Sequence, residues 1–240
     1  MPVGTACACV FGNIAWINFV LVDQAHRGKG IGSALMKHVI QYLDERGVAS
    51  IRLDATPLGQ PVYTKLGFVG EFTLERYEGV LPQSESDHYL PRREGGARVV
   101  PLAPDDLPAV IAMDEAVTGT RRERLLRRLF EEAPGNALKY APGGEFKGYC
   151  LWRPGSNAWH IGPLQGSVGA GLHLLSHVAR RLTGQRVYID VPKAHEVACI
   201  IAESLGLTLQ RPFLRMCRGE SVVEREHLHL FWASFGPEKG

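Results

Sequence analysis

The sequence predicts an α/β protein made of two similar units, each with helices packed on a mixed sheet. Three observations lead there. Apolar residues alternate in short runs such as "IRLDATP", whereas Ile31, Leu35, Val39 and Leu43 recur at helical spacing. The order strand, strand, helix, strand, helix, strand is met twice along the chain. Landmarks also repeat: Trp16 matches Trp159, Asp54 matches Asp190 and Gly67 matches Gly206, at offsets of 143, 136 and 139 residues. So small a drift marks a duplicated unit.

The elements follow in order. "GTACACVFGNIAWINFVLV" reads as two strands, with Cys7 and Cys9 alternating so that only one faces the core. The glycine loop "HRGKGIG", residues 26–32, leads into a helix that ends at Gly47 as a C-cap. A strand holds Ile51 and Leu53, bounded by Gly47 and Pro57. "PVYTKLGF" is a short helix closed by Gly67, and "EFTLERY" is the last strand. Glu78 to Gly96 is rich in Pro, Gly, Ser and charge and reads as a linker. The expected boundaries are 1–79 for the first unit, 80–97 for the linker and 98–240 for the second unit.

The second unit opens with 50 extra residues, Arg98 to Lys147, which include the helix-like "DDLPAVIAMDEAV" and "RRERLLRRLF". The first unit has no counterpart to them and is expected to lack its opening strand and helices, by truncation or as a short natural unit. A sheet edge left bare in this way invites pairing with another chain, so a homodimer stays open. Trp232 and Phe235 in "HLHLFWASFG" read as a final strand closing the second unit.

Composition narrows the function classes. The 240 residues are 45% hydrophobic and 22% charged, ordinary globular material. A net charge of +2 is too small to imply a nucleic-acid or membrane partner. Arg121, Arg122, Arg124, Arg127 and Arg128 are interleaved with leucines, as on the wet face of a helix. Five cysteines without a CxxC pair favour neither a disulfide framework nor a zinc site, and a reducing cytoplasm is expected. No apolar run reaches the ~18 residues of a membrane span. The basic start of a signal peptide is missing too. His173 and His177 stand four apart on a helix with no third ligand in view, so no metal is expected.

The loop carries the chemistry. A strand ending at Val22 and a helix starting near Gly30 leave first-turn N–H groups without internal partners, in the positive field of the helix dipole. Such a place favours a phosphate. Arg27 and Lys29 add charge, and Gly28, Gly30 and Gly32 let the backbone approach closely. GxxxxGK[ST] is absent, and Ser33 stands where a dinucleotide fingerprint needs its last glycine. What fits is Arg-x-x-Gly-x-Gly, as Arg27, Gly30 and Gly32, after "INFVLVDQAH" and before "VYTKLGF".

That constellation, over about Gly4 to Gly79, resembles the GCN5-related N-acetyltransferases, the GNAT family. The resemblance implies two units with a mixed, mostly antiparallel twisted sheet flanked by helices. It implies acetyl-CoA as co-substrate, held by Arg27, Gly28, Lys29, Gly30, Ile31, Gly32 and Ser33, with Thr56 where an asparagine is often found. Val20, Leu21 and Val22 correspond to the splayed strand whose N–H groups would face the acetyl oxygen. Tyr63, four before Gly67, matches the tyrosine that usually protonates the departing CoA thiolate. The glutamate base that many relatives carry on the strand before the loop has no counterpart between Ala15 and Val22. Asp54 and Asp190 are expected either to orient an amine or to cap turns. His26 is expected at the surface, within reach of a phosphate.

The second unit is similar to the C-terminal domain of tandem GNAT proteins. Its loop reads Gly166-Ser167-Val168-Gly169-Ala170-Gly171 without a cation, and Ala202 stands where Tyr63 stands in the first unit. It is expected to be non-catalytic, to shape the substrate pocket or a dimer, and to carry a cleft of its own on "YIDVP" and "AWHIGPL". The function implied is transfer of an acetyl group to a primary amine of a small molecule or peptide in a ternary complex. A non-catalytic acyl-CoA-binding regulator, and a structural dimerisation module with a vestigial loop, are the alternatives.

Overall fold

The computed structural model describes residues 1–83, 99–221 and 223–238. From residue 84 onward the expected linker lies outside them. In chain order, β1 (Gly4–Phe11) and β2 (Ile14–Val22) lead to α1 (Ile31–Asp44), β3 (Ser50–Ala55), α2 (Gln60–Lys65) and β4 (Val69–Val80). The additional front is β5 (Val99–Pro101), α3 (Leu107–Thr118), α4 (Glu123–Glu132) and β6 (Ala137–Tyr140). Then β7 (Gly148–Pro154), β8 (Trp159–Gly166), α5 (Val168–Arg181), β9 (Arg186–Pro192), α6 (Glu196–Ser204) and β10 (Thr208–Gly219) repeat the first series. A short β11 (Phe231–Ala233) follows.

Two compact units form, and neither is continuous in the chain. Unit 1 is Met1–Phe72, Phe213–Val222 and Pro237–Gly240; unit 2 is Thr73–Pro212 and Val223–Gly236. Their borders fall inside β4 and β10 because each of these strands has 12 residues, twice the six of β3. Each therefore starts in one unit and ends in the other.

In unit 1, β2 lies between β1 and β3, and the end of β10 pairs antiparallel with β3, from Leu214 opposite Ala55 to Gly219 opposite Ser50. One face of this sheet, with Ala15, Ile17, Ile51, Leu53 and Met216, is covered by Met36, Ile40 and Leu43 of α1. The i, i+4, i+7 spacing of the helix residues places them on one stripe, which is why this segment packs as a helix. The last strand of the sheet thus comes from the second sequence repeat.

Unit 2 makes the reciprocal arrangement, in the order β4-β9-β8-β7-β6-β5. Leu74 to Val80 of β4 run antiparallel to β9, from Pro192 to Arg186. The core of this sheet holds Ile161, Leu164, Val187, Ile189 and Val191 against Leu174, Leu175 and Val178 of α5. The front helices pack Val110, Leu126 and Phe130 onto Tyr149 and Leu151. Among the described residues no helix is long and apolar enough to cross a membrane.

Candidate active site

β2 and β3 run side by side only where Ile14 to Trp16 face Ser50 to Arg52. Beyond Trp16 they separate. On the other side of β2, Thr5 faces Leu21 while Cys7 faces Asn18, so β2 carries one extra residue, a bulge. Phe19 sits there at φ +48°, in the left-handed region that bulky residues rarely enter. Its carbonyl accepts from Thr5 Oγ1 at 2.7 Å, which pins the bulge. Strand departure and bulge together turn Val20, Leu21 and Val22 toward a cavity of about 450 Å³. The opposite wall is Thr56, Val62 and Tyr63.

The glycine loop closes one end of this cavity. Asp23 begins it, accepting from Ala25 N at 3.0 Å and meeting His26 Nδ1 at 2.8 Å. Arg27 Nε donates to Val22 O at 3.1 Å, which ties the guanidinium to the strand end. Gly28 and Gly30 have φ of +76° and +77°, where any Cβ would be strained. Gly30 is the N-cap of α1 and gives no side-chain cap. The first-turn N–H groups of α1 are therefore left to an incoming acceptor. Charge and geometry together suit an anion, and the residues present fit a pyrophosphate. Of the expected cofactor residues, Lys29 is not on the cavity wall; the others are.

Tyr63 comes from α2. Its ring lies over Gly59, where a Cβ would fall 2.8 Å from the ring, and meets Phe68 edge-on at 6.2 Å. Packing on both sides fixes the ring. Burial pushes the phenol pKa up, so the group stays a proton donor.

Asp54 and Asp190 are each engaged by an arginine. Asp54 on β3 is bound by Arg215 of β10 through Nε at 2.9 Å and Nη2 at 3.0 Å, with both side chains buried. Asp190 on β9 is bound in the same way by Arg76 of β4, both contacts at 2.7 Å. A carboxylate engaged by a guanidinium fork is a structural tie, not a free base.

Known proteins share this architecture. An acetyltransferase (GNAT) domain profile matches residues 110–232, and a second GNAT profile matches residues 2–68. The chain belongs to the GNAT acetyltransferase family. It is 28% identical over 215 residues to a holothin acyltransferase of Pseudoalteromonas sp. (strain SANK 73390), covering 89% of this chain and 69% of that one. An uncharacterized N-acetyltransferase of Bacillus subtilis (strain 168) is 25% identical, over 80% of this chain and 67% of its own. Among solved structures, a proposed acetyltransferase from Pyrococcus horikoshii superposes with a TM-score of 0.79 at 25% identity. It covers 100% of this chain and 76% of its own. A tandem GNAT protein from the clavulanic acid biosynthesis pathway shares the fold, with a TM-score of 0.61 at 17% identity over 92% and 80% of the two chains.

The second GNAT unit has the same strand separation, and a further strand occupies it. β8 pairs with β9 only from Trp159 to Ile161. In the space beyond, β11 pairs with β8, Phe231 opposite Gln165 and Ala233 opposite Leu164. Ser234 N donates to Asp190 O at 2.9 Å, and Gly166 N donates to Leu230 O at 2.9 Å. The Trp232 ring lies on Gly171, where a Cβ would sit 1.9 Å from it. Ser167 caps α5, its Oγ accepting from Ala170 N at 3.3 Å. The cleft expected on "YIDVP" and "AWHIGPL" is thus filled by the chain's own C-terminal segment. The closing strand read at Trp232 is β11, but Phe235 lies past its end, and nothing in the sequence marked where the strand inserts. Ala202, at the position of Tyr63, is buried in the core.

Proposed function

We propose that unit 1 binds acetyl-CoA and transfers its acetyl group directly to a primary amine of a small molecule or peptide. One observation carries this reading. The uncapped start of α1 with Arg27, the bulged edge of β2 and the Tyr63 hydroxyl-bearing ring all border one cavity. In this reading the N–H groups of Ile31 to Ser33, with Arg27, hold the pyrophosphate. Thr56 lines the path of the pantetheine arm. Backbone N–H groups of Val20 to Val22 meet the oxygen that becomes negative when the amine attacks. Tyr63 gives a proton to the sulfur as the C–S bond breaks, which suits a phenol kept protonated by burial. The acetyl donor supplies the activated carbonyl; the protein supplies orientation, charge and one proton.

Unit 2, its gap filled by β11 and its helix start capped by Ser167, is a non-catalytic scaffold in this account. Release of free CoA thiol from acetyl-CoA in the presence of amines tests the reading. Amine-dependent release supports transfer; tight acetyl-CoA binding with no release on any amine would support a regulator instead.

A further inference from the structure

Resting on that reading, we propose that His26 holds the phosphate end of acetyl-CoA as an imidazolium, so that binding carries a proton from solvent onto the protein. The geometry of one turn leads there.

Asp23 settles one side of the ring. Its Oδ1 stands 2.8 Å from His26 Nδ1 and also accepts from Ala25 N at 3.0 Å. His26 N donates to Asp23 O at 2.9 Å, which closes the turn. An ionised carboxylate can only accept, so the Nδ1 proton is fixed on the ring. Nε2 is the atom left to change: a lone pair in the neutral ring, an N–H in the cation. The ring borders the cavity beside Arg27 and Gly28, and among the described residues no partner engages Nε2.

A pyrophosphate is acceptor-only as well. Against the neutral ring its oxygens would meet the Nε2 lone pair. Against the imidazolium they accept a charge-assisted hydrogen bond. Without an anion, Arg27 and Lys29, the next cations along the loop, oppose a third positive charge. The phosphates cancel that opposition, while Asp23 supports the imidazolium from behind. Protonation and binding therefore favour each other, each by the same factor.

Other ionisable groups around the cavity are few. β2 is uncharged from Ile14 to Val22, and α1 brings only Ile31, Gly32, Ser33 and Met36 to the wall. α2 brings Tyr63, which burial keeps protonated. β1 holds the thiols of Cys7 and Cys9, and Met1 the terminal amine.

The test is calorimetric titration of the whole chain with acetyl-CoA, in HEPES and in triethanolamine. Neither buffer has a primary amine to be acylated, and they differ in the heat of giving up a proton. The difference in binding heat therefore counts the protons taken up. We expect ~0.5–1 proton per acetyl-CoA, and an affinity that falls ~10-fold between about pH 6.5 and about pH 8.5, the scale of one charged hydrogen bond. His26→Gln, which cannot charge, should take up no proton and bind with a flat profile, at the weaker level that the wild type reaches in alkali. His26→Lys, charged throughout, should restore tight binding in alkali. Equal binding heats in the two buffers for the wild type overturn the proposal. So does proton uptake that survives in His26→Gln, which would move the proton to the terminal amine or to the CoA phosphate. Failure to bind acetyl-CoA at any pH overturns the parent reading instead.

Discussion

Arg215 and Asp54 form a buried, two-pronged ion pair 161 residues apart in the chain, at 2.9 and 3.0 Å. Arg76 and Asp190, 114 residues apart, form its counterpart in the other unit. Arg76 occupies the β4 position that Arg215 occupies on β10, and Asp54 the β3 position that Asp190 occupies on β9. Each aspartate stays on its repeat's inner strand, and each arginine arrives on the strand contributed by the other repeat. The two pairs lock the exchanged strands in register.

Breaking one of these pairs strands a buried charge. Asp54→Ala should lower stability by roughly 3–5 kcal/mol in urea unfolding. Adding Arg215→Met to that variant should recover part of the loss, because the orphaned guanidinium is removed. A double variant as unstable as the sum of the singles would argue that the two side chains do not act as a pair.

Tyr63→Phe keeps the ring on Gly59 and against Phe68 and removes only the hydroxyl that donates the proton. We expect kcat to fall ~10²–10⁴-fold with acetyl-CoA affinity nearly unchanged. A variant with wild-type kcat would take Tyr63 out of the reaction.

Gly171→Ala probes the filled gap of unit 2. Its methyl group would collide with the Trp232 ring, so β11 must shift. The expected loss is ~1–3 kcal/mol of stability, seen as a lower thermal midpoint. An unchanged midpoint would mean that Trp232 is not seated there.

Acid should act on the same region through His195. Its Nδ1 accepts from Ala198 N at 3.2 Å and its ring lies 4.6 Å from that of Trp232. Burial lowers its pKa below the ordinary histidine value. The unfolded chain thus binds the proton more readily, and stability rises with pH. The contribution is complete above about pH 6.5, the ordinary value, and fades as pH falls toward the lower folded value. Melting curves from pH 7.5 to 5 should show a declining midpoint, and His195→Asn should decline less. Equal slopes would assign the acid sensitivity elsewhere.

Much of this was legible in the sequence, and the rest was not, for physical reasons. Gly28, Gly30 and Arg27 stand out because their roles are local: backbone conformation and charge act within a few residues. The α1 helix is likewise written in helical spacing, but the stripe read there, Ile31, Leu35, Val39 and Leu43, is turned: Met36, Ile40 and Leu43 are buried, and Ile31, Leu35 and Val39 are half-buried. Strand exchange is not local. A strand's pattern shows which face is apolar but not which neighbour it pairs with, so β10 read as the end of the second repeat alone. Asp54 and Asp190 looked available for the same reason, since their arginines are far away in the chain. Phe19 gave no sign of its backbone conformation, because nothing in "WINFVLV" marks a bulge.

The measurement that tests the central claim most directly is calorimetric titration of the whole chain with acetyl-CoA, run beside Arg27→Ala. The account predicts one molecule bound per chain, with affinity falling roughly 10- to 100-fold in the variant, as loss of a charged hydrogen-bond donor implies. Two molecules per chain would contradict the filled gap of unit 2, and binding indifferent to Arg27, or no binding, would contradict the acyl-CoA site of unit 1.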